Sequence, residues 1–370
     1  MAVRTGCGVI AALSFGLAAG PVLAQDSVPI TDSVPTTDSV PTTDSVPNAE
    51  AAPEANSAPR SGASIGFWID NDLFGGGTDR YYTNGFQFYY VSGDRPTYGN
   101  IDWLANLVPW IGEHGVRRYG IAFGQNMYTP SDITKPIPDA TDRPYAGWLY
   151  GRLSVISEET RQVDRIDLDL GMVGPASLAE QTQKAVHRIV PGARWPEGWD
   201  YQLKNEPGII LSYEHVWRAE RPARIGPFEA DISPHVAGSV GNVLTFGGAG
   251  VTLRLGGNMA PPVGALILRP TASIPYQDSV AAGEPRPPFS WYVYAGAEGR
   301  AIARNIFLDG NSFRDSRSVD KHNFVAAFQL GVALRYGPFG ISYAQNFLSP
   351  EFEGQKSYTN YGSIRASYRF

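Results

Sequence analysis

Cysteine is almost missing from this chain of 370 residues: Cys7 is the single example. Disulfides therefore cannot hold the mature protein together. Long apolar runs are also missing, so no segment qualifies as a membrane-spanning helix. Nor is there a basic stripe: 30 Lys and Arg lie scattered among 36 Asp and Glu, a formal charge of -6, which leaves nothing to suggest a nucleic-acid groove. What the chain has in quantity is Gly (41), Tyr (19), Phe (17) and Trp (8), a profile common in large β structures with aromatic belts.

The first 24 residues carry Arg4, an apolar run from Val9 to Val22 and a small-residue exit at Ala24. That pattern is expected of a secretory signal peptide, cleaved near Ala24 and taking Cys7 with it. Residues 25–62 repeat Asp-Ser-Val-Pro four times, from Asp26, Asp32, Asp38 and Asp44. With no apolar face to bury, this segment is expected to be a disordered tether whose only contribution is reach.

From 63 to 370 the chain alternates apolar and polar residues, strand after strand. Phe324, Phe328, Leu330, Val332, Leu334 and Tyr336 alternate with Ala327, Gln329, Gly331, Ala333 and Arg335. The last ten residues do the same and close on Phe370. Strands this long, with one greasy face and one small or charged face, fit a bilayer-spanning antiparallel barrel better than a soluble sandwich. Twelve are expected: 64–74, 80–93, 118–127, 146–157, 162–173, 205–217, 229–241, 245–255, 290–301, 322–337, 338–347 and 361–370. An even number places both termini at one end, and with the tether in the periplasm the odd-numbered connections emerge outside the cell. The long connection 94–117 reads as an amphipathic segment at the inner interface.

Two stretches exceed what a barrel needs. The first hairpin tip, Ile69 to Gly85, gathers Asp70, Asn71, Asp72, Asp79, Arg80, Thr83 and Asn84 around three glycines. Such residues are good turn formers, but here they are unusually many. By strand parity Thr83 is expected on the face opposite Phe86 and Phe88, away from lipid, whereas Asn71 shares the face of Ile65 and Phe67. The second stretch is the strongest helical pattern in the chain, Ser177 to Val190 between Pro175 and Pro191. Leu178, Ala185, Val186, Ile189 and Val190 form an apolar stripe expected to rest on the barrel rim, while Gln183 and His187 stand four apart on one face. A lone helical histidine is more often a packing residue than a base; its place beside the Asn- and Asp-rich tip points the other way.

Several residues together resemble the outer-membrane lipid A 3'-O-deacylases, twelve-stranded barrels that remove an acyl chain from lipopolysaccharide. They are Asn71-Asp72, Asp79-Arg80, Tyr82-Thr83 with Gly85, Tyr128-Thr129-Pro130-Ser131 with Lys135, Asp142-Arg143, and Gln183 to Ile189 around His187. The similarity runs over 64–370 and leaves out the tether. It implies a calcium-dependent ester hydrolase in which His187 activates water and Asn71, Asp72 and Thr83 take catalytic positions. Lys135 would bind substrate, and Asp72 with Gln183 would hold the calcium. It further implies lipid A as substrate and a site on the extracellular side of the outer membrane; the scattered charges lead to the expectation of no nucleic-acid partner, and a monomer is expected. The chemistry is coherent, since an imidazole titrates near neutrality and oxygen donors suit a hard cation. Taken as isolated residues, Lys135 is equally an ordinary loop lysine, and Asn71 and Asp72 can simply end a strand.

Two other functions compete. An outer-membrane phospholipase would use a Ser-His pair: Ser233 and His235 share a strand face without an evident third group, and Ser212 lies near His215. A porin-like barrel would need no catalytic residues, and inward charges such as Arg165, Asp167, Glu298 and Arg335 would serve equally to plug its pore or to line a path.

Overall fold

The computed structural model describes residues 62–74, 81–93, 102–108, 111, 116–190, 192–260 and 287–370. The expected signal peptide and the tether up to residue 61 lie outside the described residues. Thirteen strands form one antiparallel sheet: β1 (Ser64–Asn71), β2 (Tyr81–Val91), β3 (Val116–Thr129), β4 (Ala146–Glu158), β5 (Gln162–Val173), β6 (Glu206–Trp217), β7 (Ala223–Ile225), β8 (Phe228–Gly241), β9 (Leu244–Gly257), β10 (Phe289–Asn305), β11 (Phe324–Tyr336), β12 (Phe339–Leu348) and β13 (Thr359–Arg369). β1 pairs with β13, and β6 pairs with β8, so twelve strands close into a barrel. The three-residue β7 pairs only with β8 and extends one hairpin. The expected strand count holds, with the largest extension at β10, which runs four residues beyond its expected end.

Closure gives each of the twelve barrel strands a neighbour on both sides, the condition for backbone polar groups to survive in hydrocarbon. The outer wall carries the apolar residues: Phe324 is 80% exposed, Phe328 54%, Leu330 58% and Phe88 58%. Water would penalise so wide an exposed apolar belt; a bilayer removes the penalty. No helix among the described residues is long and apolar enough to cross a membrane, so the crossing falls to the strands.

The interior is filled. Arg152 sends Nη2 to Asp169 Oδ2 at 2.7 Å, Arg118 pairs with Glu158 at 3.1 Å, and Arg254 pairs with Asp231. Above these charge pairs, Trp148, Tyr150, Tyr128 and Phe246 pack with Ile306 and Phe307 of the short α3 (Ile306–Asp309), which turns inward after β10. Phe307 stacks on Tyr128 with ring centroids 4.1 Å apart.

The end where Ser64 and Arg369 meet is the terminal end; the opposite, loop end carries the connections after β1, β3, β5, β8, β10 and β12. At the terminal end a short α1 (Asp102–Ala105) lies within the β2–β3 connection. Leu104, Ala105 and Ile111 bury themselves against Tyr119, Val155 and Ile166 of the outer wall. Trp103 and Leu107 stay about half exposed, at 49% and 51%. The described part of 94–117 is thus amphipathic, with its buried side on the barrel.

Candidate active site

The β5–β6 connection supplies the helix of the site. A 3-10 turn at Pro175–Ser177 leads into α2 (Ala179–Ile189) through Leu178, which takes a left-handed conformation at φ 59°. Gly147 on β4 allows close approach: a Cβ there would meet Ser177 Oγ at 2.1 Å and Ala179 Cβ at 2.3 Å. Gln125 of β3 donates to the Ser177 carbonyl at 2.6 Å. Beneath the helix, Met127, Ile133, Tyr145, Ala179 and Trp199 form a small buried core on the outside of the wall.

This seating reverses the expected orientation of α2. Leu178 (53%), Val186 (38%) and Ile189 (81%) face outward, while Ala179 and Gln183 are buried against the barrel. The apolar stripe meets the surroundings of the wall, as an apolar face does at a membrane edge. Gln183 is held from below: its Oε1 accepts a hydrogen bond from Trp199 Nε1 at 2.7 Å. Its Nε2 is buried with no hydrogen-bond partner among the described residues.

β1 and β2 supply the wall of the site, and here parity fails. The β2–β3 register slips between Tyr82 and Asn84, a β-bulge that re-aims the chain. Tyr82 turns into the barrel, where its hydroxyl donates to Asp70 at 2.8 Å and its ring packs on Tyr128 and Tyr361. Thr83 therefore faces out, with its Oγ1 2.6 Å from Thr129 Oγ1. The expectation that Thr83 points away from the lipid side is corrected: the inserted residue breaks the alternation on which that expectation relied. Gly85 is required because a Cβ would come within 2.1 Å of the Tyr82 hydroxyl oxygen.

Helix and wall meet in a pocket of about 130 Å³. Asn71, Thr83, Asn84 and Met127 line it from the barrel, Gln183, Val186 and His187 from α2, and Gly192 and Ala193 from the following turn. His187 Nδ1 lies 2.5 Å from the Arg194 carbonyl oxygen. A carbonyl only accepts, so Nδ1 carries the proton and Nε2 holds the lone pair of the neutral ring.

Four of the six expected site residues, Asn71, Thr83, Gln183 and His187, thus share one pocket. Asp72 follows Asn71 in a 3-10 turn, Asp72–Phe74, and is 1% exposed. Lys135 does not line the pocket; it sits on the β3–β4 connection with its ammonium 2.7 Å from Asp139. That hydrogen bond holds the Lys135 ammonium above its ordinary pKa. Sequence reasoning singled out Asn84 in the hairpin tip without giving it a role, and missed Met127, Trp199 and the Arg194 carbonyl. The last acts through its backbone and leaves no signature in residue type.

Among the described residues, no three His, Cys, Asp or Glu side chains converge on a metal position. The pocket lining offers neutral oxygens from Asn71, Thr83 and Gln183, whose Oε1 keeps one lone pair beside its bond to Trp199, while the one acidic candidate, Asp72, adjoins Asn71 in sequence without lining the pocket. Such a hard, mixed-oxygen donor set fits calcium and does not fit zinc.

The Ser-His alternative is less well supported. His235 has the third group that sequence reasoning did not find: its Nε2 lies 2.8 Å from Glu298 Oε2. Yet Ser233 Oγ and His235 Nδ1 each lack a hydrogen-bond partner among the described residues, and both side chains are buried inside the barrel. His215 points outward to Asp164 at 2.7 Å, whereas Ser212 lies on the opposite face of β6.

A closed twelve-stranded barrel with an apolar outer wall, carrying a histidine pocket on that wall at its loop end, defines an integral outer-membrane barrel. The family described as outer membrane protein LpxR matches residues 37–370, and the chain belongs to that family. Among solved structures it is similar to LpxR from Salmonella typhimurium, with a TM-score of 0.66 at 20% identity, covering 83% of this chain and 100% of that one. More distant barrels include the β domain of the Bordetella autotransporter BrkA (TM-score 0.39, 12% identity, 84% of this chain and 98% of that one). Another is the translocator domain of the autotransporter NalP from Neisseria meningitidis (TM-score 0.36, 10% identity, 84% and 89%). No curated protein matches the chain.

Proposed function

We propose that this protein is a calcium-dependent lipid A deacylase, hydrolysing an ester-linked acyl chain of lipopolysaccharide at the extracellular rim of the outer membrane. The observation that carries the reading is the pocket joining His187 and Gln183 of α2 to Asn71 and Thr83 on the outside of the barrel wall. A lipid embedded in the same leaflet reaches such a pocket laterally, without leaving the membrane.

His187 Nε2 takes a proton from a water molecule, and the resulting hydroxide attacks the ester carbonyl. The ring is kept in the productive tautomer by the Arg194 carbonyl. The tetrahedral oxyanion collapses, expelling the sugar alkoxide, which recovers the proton from His187. Asp72, Asn71, Thr83 and Gln183 would hold the calcium ion, which when bound would supply the positive charge that stabilises the oxyanion. Lys135 exchanges Asp139 for a lipid phosphate; exposed ion pairs are worth little, so the exchange is easy.

The test is mass spectrometry of lipid A from cells expressing the protein, with and without chelator. Loss of one ester-linked chain, blocked by chelator and by His187→Ala, is the expected result. Unaltered lipid A in cells carrying correctly inserted barrel would overturn the reading.

A further inference from the structure

A second concavity lies on the outer wall below the pocket. It is a cleft of about 640 Å³, within the range of small-molecule sites, and its lining includes Ile65, Phe67, Phe88, Ile121, Phe123 and Ala366. Strand register ties it to the pocket. Asn71 pairs with Asn84, which pairs with Met127: this row lines the pocket. Two residues down each strand, Ile69 pairs with Phe86. Two further down, Phe67, Phe88 and Phe123 form the upper row of the cleft, and Ile65, Tyr90 and Ile121 form the lower.

These rows make one apolar track. Phe86 contacts Phe88 and Phe123 with ring centroids 5.9 and 6.4 Å apart, which carries the apolar surface across the intervening row. Ala366, opposite Phe67, is the small residue that leaves the wall indented. Phe339 and Tyr368, paired in register with rings 5.0 Å apart, close the lower end. The six steps of strand from Asn71 to Ile65 span about 20 Å. At a tilt near 40° that is about 15 Å of depth, comparable with half of an apolar band about 25 Å tall.

Resting on the deacylase reading, we propose that this cleft is the subsite for an acyl chain of the lipid whose head group occupies the pocket, and that Phe339 and Tyr368 set the chain length it accepts. An ester placed beside His187 directs its chain down the wall, along the same three strands. The cleft is open to the bilayer on one side, so a chain enters it laterally.

The experiment uses the full-length, membrane-inserted protein and lipid A bearing either short or long ester-linked chains. Ala366→Trp fills the indentation. Each displaced methylene is worth about four-fold, so losing two lowers turnover of the long-chain substrate about fifteen-fold while the short-chain substrate is spared. Ile232→Trp on the far wall, 55% exposed, is the control and changes neither. Equal effects of the two substitutions, or an unchanged chain-length profile, would overturn the subsite. A second readout does not need catalysis: in the His187→Ala background, a photocrosslinking residue at Phe88 or at Ile232 is exposed to lipopolysaccharide. Stronger capture at 88 supports the subsite even if the wild-type protein proves inactive, which would sink only the deacylase reading. Equal capture at both positions makes the cleft ordinary lipid-facing wall and overturns the proposal.

Discussion

At the scale of single residues, the site depends on how backbone and buried groups constrain a few side chains. His187 is oriented by a carbonyl and Gln183 by an indole, so neither adopts its pose by chance. His187→Ala is expected to lower deacylation by about 10²–10⁴-fold, the usual range for loss of a positioned general base, and Asp72→Ala by about 10²–10³-fold, the range for loss of oxyanion stabilisation, both with unchanged heat-modifiable migration of the barrel on gels. Trp199→Phe keeps an aromatic ring, though a smaller one, and leaves Gln183 Oε1 without its donor. It should cost about 1 kcal/mol locally and lower turnover without abolishing it, measured as kcat on purified substrate. Lys135→Met is expected to raise KM for phosphorylated lipid A and leave kcat alone. Because Asp139 holds the Lys135 ammonium above its ordinary pKa, the lysine stays charged through neutrality. Any activity change between mild acid and neutral pH must therefore come from another group, and Lys135→Met should leave that pH profile in place.

Among elements, the β2 bulge and the α2 seat decide which residues meet. Asp70 anchors the Tyr82 hydroxyl inside the barrel, and this commits Thr83 to the outside. Gly85→Ala drives a methyl group into that hydroxyl and is expected to lower activity about ten-fold, the consequence of displacing a catalytic group by a fraction of an ångström. Combining it with Tyr82→Phe, which removes the clashing oxygen, should recover part of the loss. No recovery in the double variant would show that the bulge is set by something else. Met127→Ala removes the platform under α2 and should cost about 2–5 kcal/mol of local stability. Faster proteolysis of the 175–205 connection, with the barrel itself intact, is the measurement that checks it.

Over the whole molecule, strand closure and a packed interior separate stability from chemistry. Charge pairs and the Trp148–Phe307 cluster fill the lumen, so purified protein in planar bilayers is expected to show no steady ion conductance. The site lies outside that interior, on the wall. Chelation should therefore abolish deacylation and leave thermal unfolding of the barrel within a few degrees of its starting value, as followed by circular dichroism.

Much of this was legible in the residues themselves. Apolar alternation identifies the twelve barrel strands because side chains in a strand must alternate faces, and lipid demands apolar residues on one of them. The Gln183–His187 spacing on a Pro-bounded helix, beside an Asn- and Asp-rich tip, likewise marks residues that meet in one pocket. Periodicity was silent where a single inserted residue, Thr83, inverted the face, and where a backbone carbonyl, Arg194, does the orienting. It also misjudged which side of α2 is buried: an apolar stripe signals burial only where the surroundings are water, and α2 carries its stripe exposed on the outside of an apolar-walled barrel. Local sequence determined the barrel, the helix and the kinds of donor available. Tertiary structure alone decided that pocket and cleft lie on one continuous stretch of lipid-facing wall, because register between distant strands depends on closure of the whole sheet.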